Sequence, residues 1–108
     1  MSLMVVTLDS IPGYEITEVL GIVQGNCVFS KNMFKYMGAG FRSMVGGEVK
    51  AYTEMMTETR HISTDRMISQ AEAIGADAIL NVRYFSSEIM QGAAECMVVG
   101  TAVKLIKL

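Results

Sequence analysis

The C-terminal run Ala93–Leu108 constrains the fold most, because it reads as a β-strand that is apolar on both faces. Successive side chains of a strand point to opposite faces of a sheet, so Val98 and Ala102 lie on one face and Val99 and Val103 on the other. An apolar face has to be covered from water. A chain of 108 residues can bury one modest hydrophobic core, which covers one of the two faces. We therefore predict that the long helix covers one face, that another copy of the chain covers the other, and that the protein is an oligomer.

Composition narrows the class of protein. Hydrophobic residues make up 51% of the chain, yet no apolar run approaches the roughly 18 residues that a membrane span requires. The net charge is −2 with both signs interspersed, which gives no basic patch for a nucleic acid or an anionic membrane. The N-terminus lacks the positive region of a signal peptide, and Cys27 and Cys96 lack CxxC spacing. We expect one cytoplasmic domain, residues 1–108, with reduced thiols.

The hydrophobic periodicity predicts an α+β fold with the element order β-β-α-α-β-β. An antiparallel sheet is expected to pack against a short and a long helix, and the last two strands, joined by a short loop, should pair antiparallel. Gly75 is the predicted C′ residue of the long helix, and Gly21 and Gly25 are predicted to mark a bend or bulge. The predicted strands are Met4–Leu8, Tyr14–Phe29, Ala78–Ser86 and Ala93–Leu108, and the predicted helices are Ser30–Val45 and Glu48–Ile74.

Helical spacing also predicts which side of the long helix faces the sheet. Met55 and Ile62 are placed on its flank. The inward residues are predicted to be Val49, Tyr52, Met56, Thr59, Ser63, Met67 and Ile74.

Several short motifs follow one another in an order typical of one family. They are Gly13-Tyr14-Glu15-Ile16, Gly21-Ile22-Val23-Gln24-Gly25, Gly46-Gly47-Glu48, Arg66-Met67-Ile68, Gly75-Ala76-Asp77-Ala78 and Gly100-Thr101-Ala102-Val103. In this order the chain resembles the YbjQ-like family from about Val5 to Leu105. Asp77 stands where that family usually has Asn, and Val99 where it usually has Tyr.

The resemblance implies a dodecin-like subunit that assembles as a homopentameric ring. The family carries a heavy-metal-binding label, so the resemblance suggests a heavy-metal ion as a ligand but leaves the cofactor unknown. It implies no known activity and identifies no catalytic residue.

The residues that offer metal ligands are few. Cys27 and Cys96 supply soft thiolates, but both lie in apolar strands, where small core residues are the favoured interpretation. His61 lies on a helical stripe of acidic residues that can hold a divalent cation or simply face solvent. That stripe comprises Glu54, Glu58, Asp65 and Glu72. No three or four ligands have metal-site spacing within one subunit, so a metal site is expected to be shared between subunits.

Three functions remain open from the sequence. The first is a homo-oligomeric ring that binds a heavy-metal ion or a small ligand at subunit interfaces. The second is a structural or scaffolding oligomer without a ligand. The third, an enzyme with an inter-subunit active site, is the least favoured, because the sequence shows no pairing of a nucleophile with a base.

Overall fold

The computed structural model describes residues 3–30, 44–45, 48–90 and 93–108. Its elements confirm the α+β class. The predicted short helix lies largely on residues 31–43, outside the described residues, but its predicted end is wrong. Met44–Val45 instead pairs with Glu48–Val49 in a two-stranded ribbon. In chain order the elements are β1 Met4–Val5, β2 Tyr14–Ser30, β3 Met44–Val45, β4 Glu48–Val49, α1 Lys50–Ala73, β5 Ala78–Met90 and β6 Ala93–Lys107.

The main sheet has the strand order β1-β5-β6-β2. The central strand β6 pairs antiparallel with β5, as predicted, and also with β2. The expectation of a wholly antiparallel sheet is wrong, because β1 runs parallel to β5 and places Met4 opposite Ala78. The segment between β1 and β2 crosses the sheet from the edge beside β5 to the opposite edge. β1 and β2 therefore run in the same direction. The amide of Val6 donates to the Ile79 carbonyl (3.0 Å) at the start of this crossing, and the amide of Tyr14 donates to the Ile11 carbonyl (3.1 Å) at its end.

Four register shifts interrupt the pairing of β2 and β5 with β6, and two of them set the faces of the side chains discussed below. The pairing with β6 shifts between Val19 and Gly21, where Gly21 has φ 124°, and again between Leu80 and Arg83, around Asn81 with φ 55°. One extra residue moves every later side chain of a strand to the other face. The structure thus confirms the bulge that was predicted at Gly21.

Gly25 serves a different purpose from the bulge predicted there. A Cβ atom on Gly25 would overlap the Ser63 carbonyl oxygen and lie 2.6 Å from the Met67 amide nitrogen. The missing side chain lets the α1 backbone rest directly on β2.

The helix begins at Lys50, two residues later than predicted, because Glu48 and Val49 are in β4. Its buried face confirms Thr59, Ser63 and Met67 but differs at both ends. Ile74 is 47% exposed and was wrongly assigned inward, since the helix has already ended. The buried residues recur every four positions: Met55, Thr59, Ser63, Met67 and Ala71.

Apolar clusters lie on both faces of the sheet. The helix-facing cluster comprises Val23, Met67, Ala71, Ile79, Val82, Val98 and Ala102. The cluster on the opposite face comprises Ile11, Ala78, Leu80 and Val103, with Leu105 packed against it. The chain's own N-terminal segment therefore covers Val103 and Leu105, and the expectation that a neighbouring chain covers this whole face is wrong at those two residues. Within the described ranges, no helix is long and apolar enough to cross a lipid bilayer.

The end of α1 confirms Gly75 as the C′ residue. Gly75 has φ 76°, its amide donates to the Glu72 carbonyl (3.1 Å), and the Ala76 amide donates to the Ala71 carbonyl (3.0 Å). This is the Schellman hydrogen-bond pair. A Cβ on Gly75 would meet only the Lys104 side chain, at 3.5 Å, so the cost of a substitution comes from the backbone conformation.

We expect Gly75→Val to lower the free energy of unfolding by about 1–2 kcal/mol, because an L-residue with a branched Cβ is strained at positive φ. Gly75→Asn is the matched control, since Asn tolerates this region, and should lose less. Urea unfolding followed by circular dichroism measures both. Equal stability of Gly75→Val and the parent would contradict this account of the helix end.

Candidate functional site

The two thiols that the sequence places on separate strands lie opposite each other in the sheet. Cys27 of β2 and Cys96 of β6 are directly paired in the antiparallel register. Both are free thiols on the helix-facing side, with exposed fractions of 6% and 1%. The sequence did not indicate this pairing, because it predicted the partner of β5 but not that of β2. It also depends on the Gly21 bulge, without which Cys27 would face the other way.

Helix α1 covers the strands here with uncharged groups. The Ser63 hydroxyl lies 2.9 Å from the carbonyl oxygens of both Thr59 and Cys96, and the Thr59 hydroxyl donates to the Met55 carbonyl (2.6 Å). Thr59 and Ser63 are the buried polar residues of the described part of the chain, and no charged residue there is buried. The thiol pair therefore lies in a region of low polarity without a fixed counter-charge.

The acidic stripe of α1 faces solvent. Glu54, Glu58, Asp65 and Glu72 are exposed, as is His61. Among the residues that the structure describes, no three His, Cys, Asp or Glu side chains are close enough to hold one metal ion. The structure thus joins two of the three proposed ligands, Cys27 and Cys96, and leaves His61 apart from them.

His61 instead lines a cleft of about 490 Å³ with Thr57, Arg60, Thr64 and Tyr84. The Thr64 and Tyr84 hydroxyls are 2.9 Å apart, and an Arg60 guanidinium nitrogen donates to the Thr57 hydroxyl (3.3 Å). A guanidinium beside an imidazole repels a metal cation and suits a small anion. Sequence analysis missed Tyr84, because only the bulge at Asn81 turns it toward α1.

On the opposite side of the sheet, one apolar area has no cover from the described chain. We call this area the open face. On it, Ile22 and Val28 of β2 are 77% and 47% exposed, and Phe85 of β5 is 54% exposed. At its centre β6 contributes Met97 and Val99, both partly exposed. The register also places these polar and charged residues on it: Gln24, Asn26, Arg83, Ser87, Glu95 and Thr101.

Hydrogen bonds order one corner of the open face. The Asn26 side-chain amide donates to a Glu95 carboxylate oxygen (3.0 Å), and an Arg66 guanidinium nitrogen donates to the Asn26 carbonyl (2.6 Å). The acidic group of the face is thereby held in place beside exposed apolar side chains. An ordered surface of this kind suits a specific protein contact.

The chain belongs to the YbjQ family, described as "Putative heavy-metal-binding", which it matches over residues 3–106. It is 55% identical over 105 residues to a UPF0145 protein of Thermosipho africanus, with 97% of each chain covered. A UPF0145 protein of Thermotoga maritima is 49% identical over 106 residues, covering 98% of this chain and all of that protein.

A solved structure supports the fold. A DUF74-family protein of unknown function from Pediococcus pentosaceus superposes with a TM-score of 0.63 at 13% identity, over 98% of this chain and 100% of that one. At this identity the likeness concerns the fold alone.

The burial of the thiols predicts their reactivity. We expect Ellman's reagent, a bulky aromatic disulfide, to label Cys27 and Cys96 slowly in the native protein and rapidly in denaturant, because both side chains are buried. Cys27→Ser and Cys96→Ser variants identify which thiol reacts. Complete labelling of the native protein within the mixing time would contradict the burial described here.

Proposed function

We propose that the protein is a cytoplasmic homo-oligomer, a pentamer, that binds a heavy-metal ion or a small ligand at its subunit interfaces. The observation that carries the proposal is the open face, where apolar side chains of three neighbouring strands face solvent in a single chain. The size of the ring and the choice of a metal ligand are taken from the family resemblance. The open face supports the association of subunits.

The occupant that fits the open face best is a second copy of the chain. Each copy presents exposed apolar side chains beside one acidic and one basic residue, Glu95 and Arg83, so two copies can match both hydrophobicity and charge. The chain is also extended, with a radius of gyration of 17.0 Å, whereas a compact domain of this length has about 13 Å. An elongated subunit with an apolar face buries more surface by associating than it does alone.

The strand edges support the same assembly. β2 and the end of β5 beyond β1 lie at the two edges of the described sheet. Free edges attract further strands, and a closed ring of copies removes them. The cleft around His61 opens beside the β5 edge, so a neighbouring subunit there can complete a ligand site that the described residues of one chain leave partial.

Charged substitutions on the open face test the association. We expect Ile22→Asp and Phe85→Asp to lower the mass measured by sedimentation velocity at micromolar concentration, because a carboxylate is costly to bury at an interface. Leu108→Asp is the matched control for Ile22, since Leu108 is 80% exposed away from the open face, and it should leave the mass unchanged.

Circular dichroism should show that these variants stay folded, because both positions are exposed in the single chain. Val103→Asp should instead unfold the protein, since Val103 is 1% exposed beneath the N-terminal segment. A monomeric parent, or an unchanged mass for both open-face variants, would contradict the proposal.

Ligand binding separates the proposal from a scaffold without a ligand. We expect native mass spectrometry and elemental analysis of protein purified without a metal-affinity column to find a bound metal or small molecule in the oligomer. Dissociation by Ile22→Asp should release it, because the site is shared between subunits. A ligand-free oligomer would favour the scaffold.

A further inference from the structure

We propose that Cys27 and Cys96 of one chain together form a two-coordinate site for a thiophilic d10 cation, with Hg(II) favoured over Cu(I). This goes beyond the proposed function, because both ligands come from one subunit and no neighbouring chain takes part. The site follows from the cross-strand register rather than from any sequence motif.

The geometry of the pair suits a metal bridge. Side chains directly opposite each other in an antiparallel pair have Cβ atoms about 4.5–5.5 Å apart. A linear sulfur–metal–sulfur unit with bonds of about 2.3 Å holds the two sulfur atoms about 4.6 Å apart, which this spacing allows. A disulfide prefers a shorter Cβ separation, about 3.5–4.5 Å. The register from Gly21 to Ser30 runs without a further bulge, so the backbone fixes this spacing.

The number of ligands selects the metal. In the described parts of the chain, no third His, Cys, Asp or Glu side chain joins the pair. Zn(II) in proteins takes four ligands in a tetrahedron, or three with water. Soft d10 ions accept two thiolates in a line, and soft sulfur ligands select them. The pair therefore discriminates against Zn(II) by coordination number.

Charge then separates Hg(II) from Cu(I). Two thiolates neutralise Hg(II), whereas with Cu(I) the complex keeps one negative charge. No charged residue is buried in the described part of the chain to compensate that charge, and an unpaired buried charge is costly. A neutral mercury complex suits this site better.

The binding step conserves charge and involves no electron transfer. Each thiol loses its proton as its sulfur bonds to the metal, so two thiols and one Hg(II) give one dithiolate complex and two protons. Binding therefore weakens as the pH falls. The small cation can reach thiols that exclude a bulky aromatic reagent.

The test is an anaerobic titration of the reduced protein with HgCl₂ against a competing dithiol, followed by the thiolate–mercury absorption in the ultraviolet. We expect one Hg(II) per chain, two protons released per ion and two sulfur neighbours by X-ray absorption spectroscopy. Cys27→Ser and Cys96→Ser should each lose more than about 100-fold in affinity, since even outer-shell partners of a metal are worth about 10–100-fold. Cys27→Ala and Cys96→Ala repeat the test if a serine variant fails to fold.

Two controls isolate the site. Met55→Leu, which changes another buried sulfur side chain, one that packs against Phe29, should keep the parent affinity. Ile22→Asp should also keep it, because the site needs one chain, and this separates the inference from the oligomer proposal. Parent-like Hg(II) affinity in the single-cysteine variants, one ion per two chains, or tighter binding of Zn(II) than of Hg(II) would overturn the inference.

Discussion

The structure depends on burying both faces of the central strand β6. On one face Val98 and Ala102 pack under α1, and on the other Val103 packs under the N-terminal segment. Only the stretch around Met97 and Val99 has one cover within the described chain. Because exposed apolar surface is costly in water, we propose that other copies of the chain supply the second cover of this stretch.

Close contact between the layers requires small residues at defined points. Gly25 admits the α1 backbone against β2, and Gly100 admits the Ile79 and Val82 side chains against β6. Ser63 satisfies its hydroxyl on carbonyl oxygens of α1 and β6, so the helix can bury a polar group without leaving it unpaired. The same tight layer sets the uncharged surroundings of the thiol pair. The metal chemistry inferred for that pair is thus a consequence of how the helix packs.

Part of this fold could be predicted from local patterns. The apolar last strand, the helix stop at Gly75 and the antiparallel β5–β6 pair each leave a signal within a short stretch of sequence. The parallel β1 strand could not be predicted, because its direction depends on a crossing of the sheet that only the assembled fold defines. The bulge at Asn81 was also missed. A short polar residue within a strand gives no sequence signal that distinguishes a bulge from regular pairing.

The candidate site was predictable only as a set of separate residues. Cys27, Cys96 and His61 could be named from their chemistry, but their grouping depends on cross-strand register and on bulges. A one-residue change of register would have separated the thiols onto opposite faces. Tyr84 lines the cleft for the same reason, because the bulge at Asn81 turns its side chain toward α1. Long-range pairing, rather than residue type, decides which of these groups meet.

We propose that the open face is buried between copies of the chain in solution. Hydroxyl-radical footprinting with mass spectrometry measures this directly, because Phe85 is 54% exposed in a single chain and Leu108, just beyond the end of β6 and away from the open face, is 80% exposed. After correction for intrinsic reactivity, we expect strong protection of Phe85 in the native protein and ready labelling of Leu108. Labelling of Phe85 at the rate its single-chain exposure implies would show that the open face stays exposed and that no copy of the chain covers it.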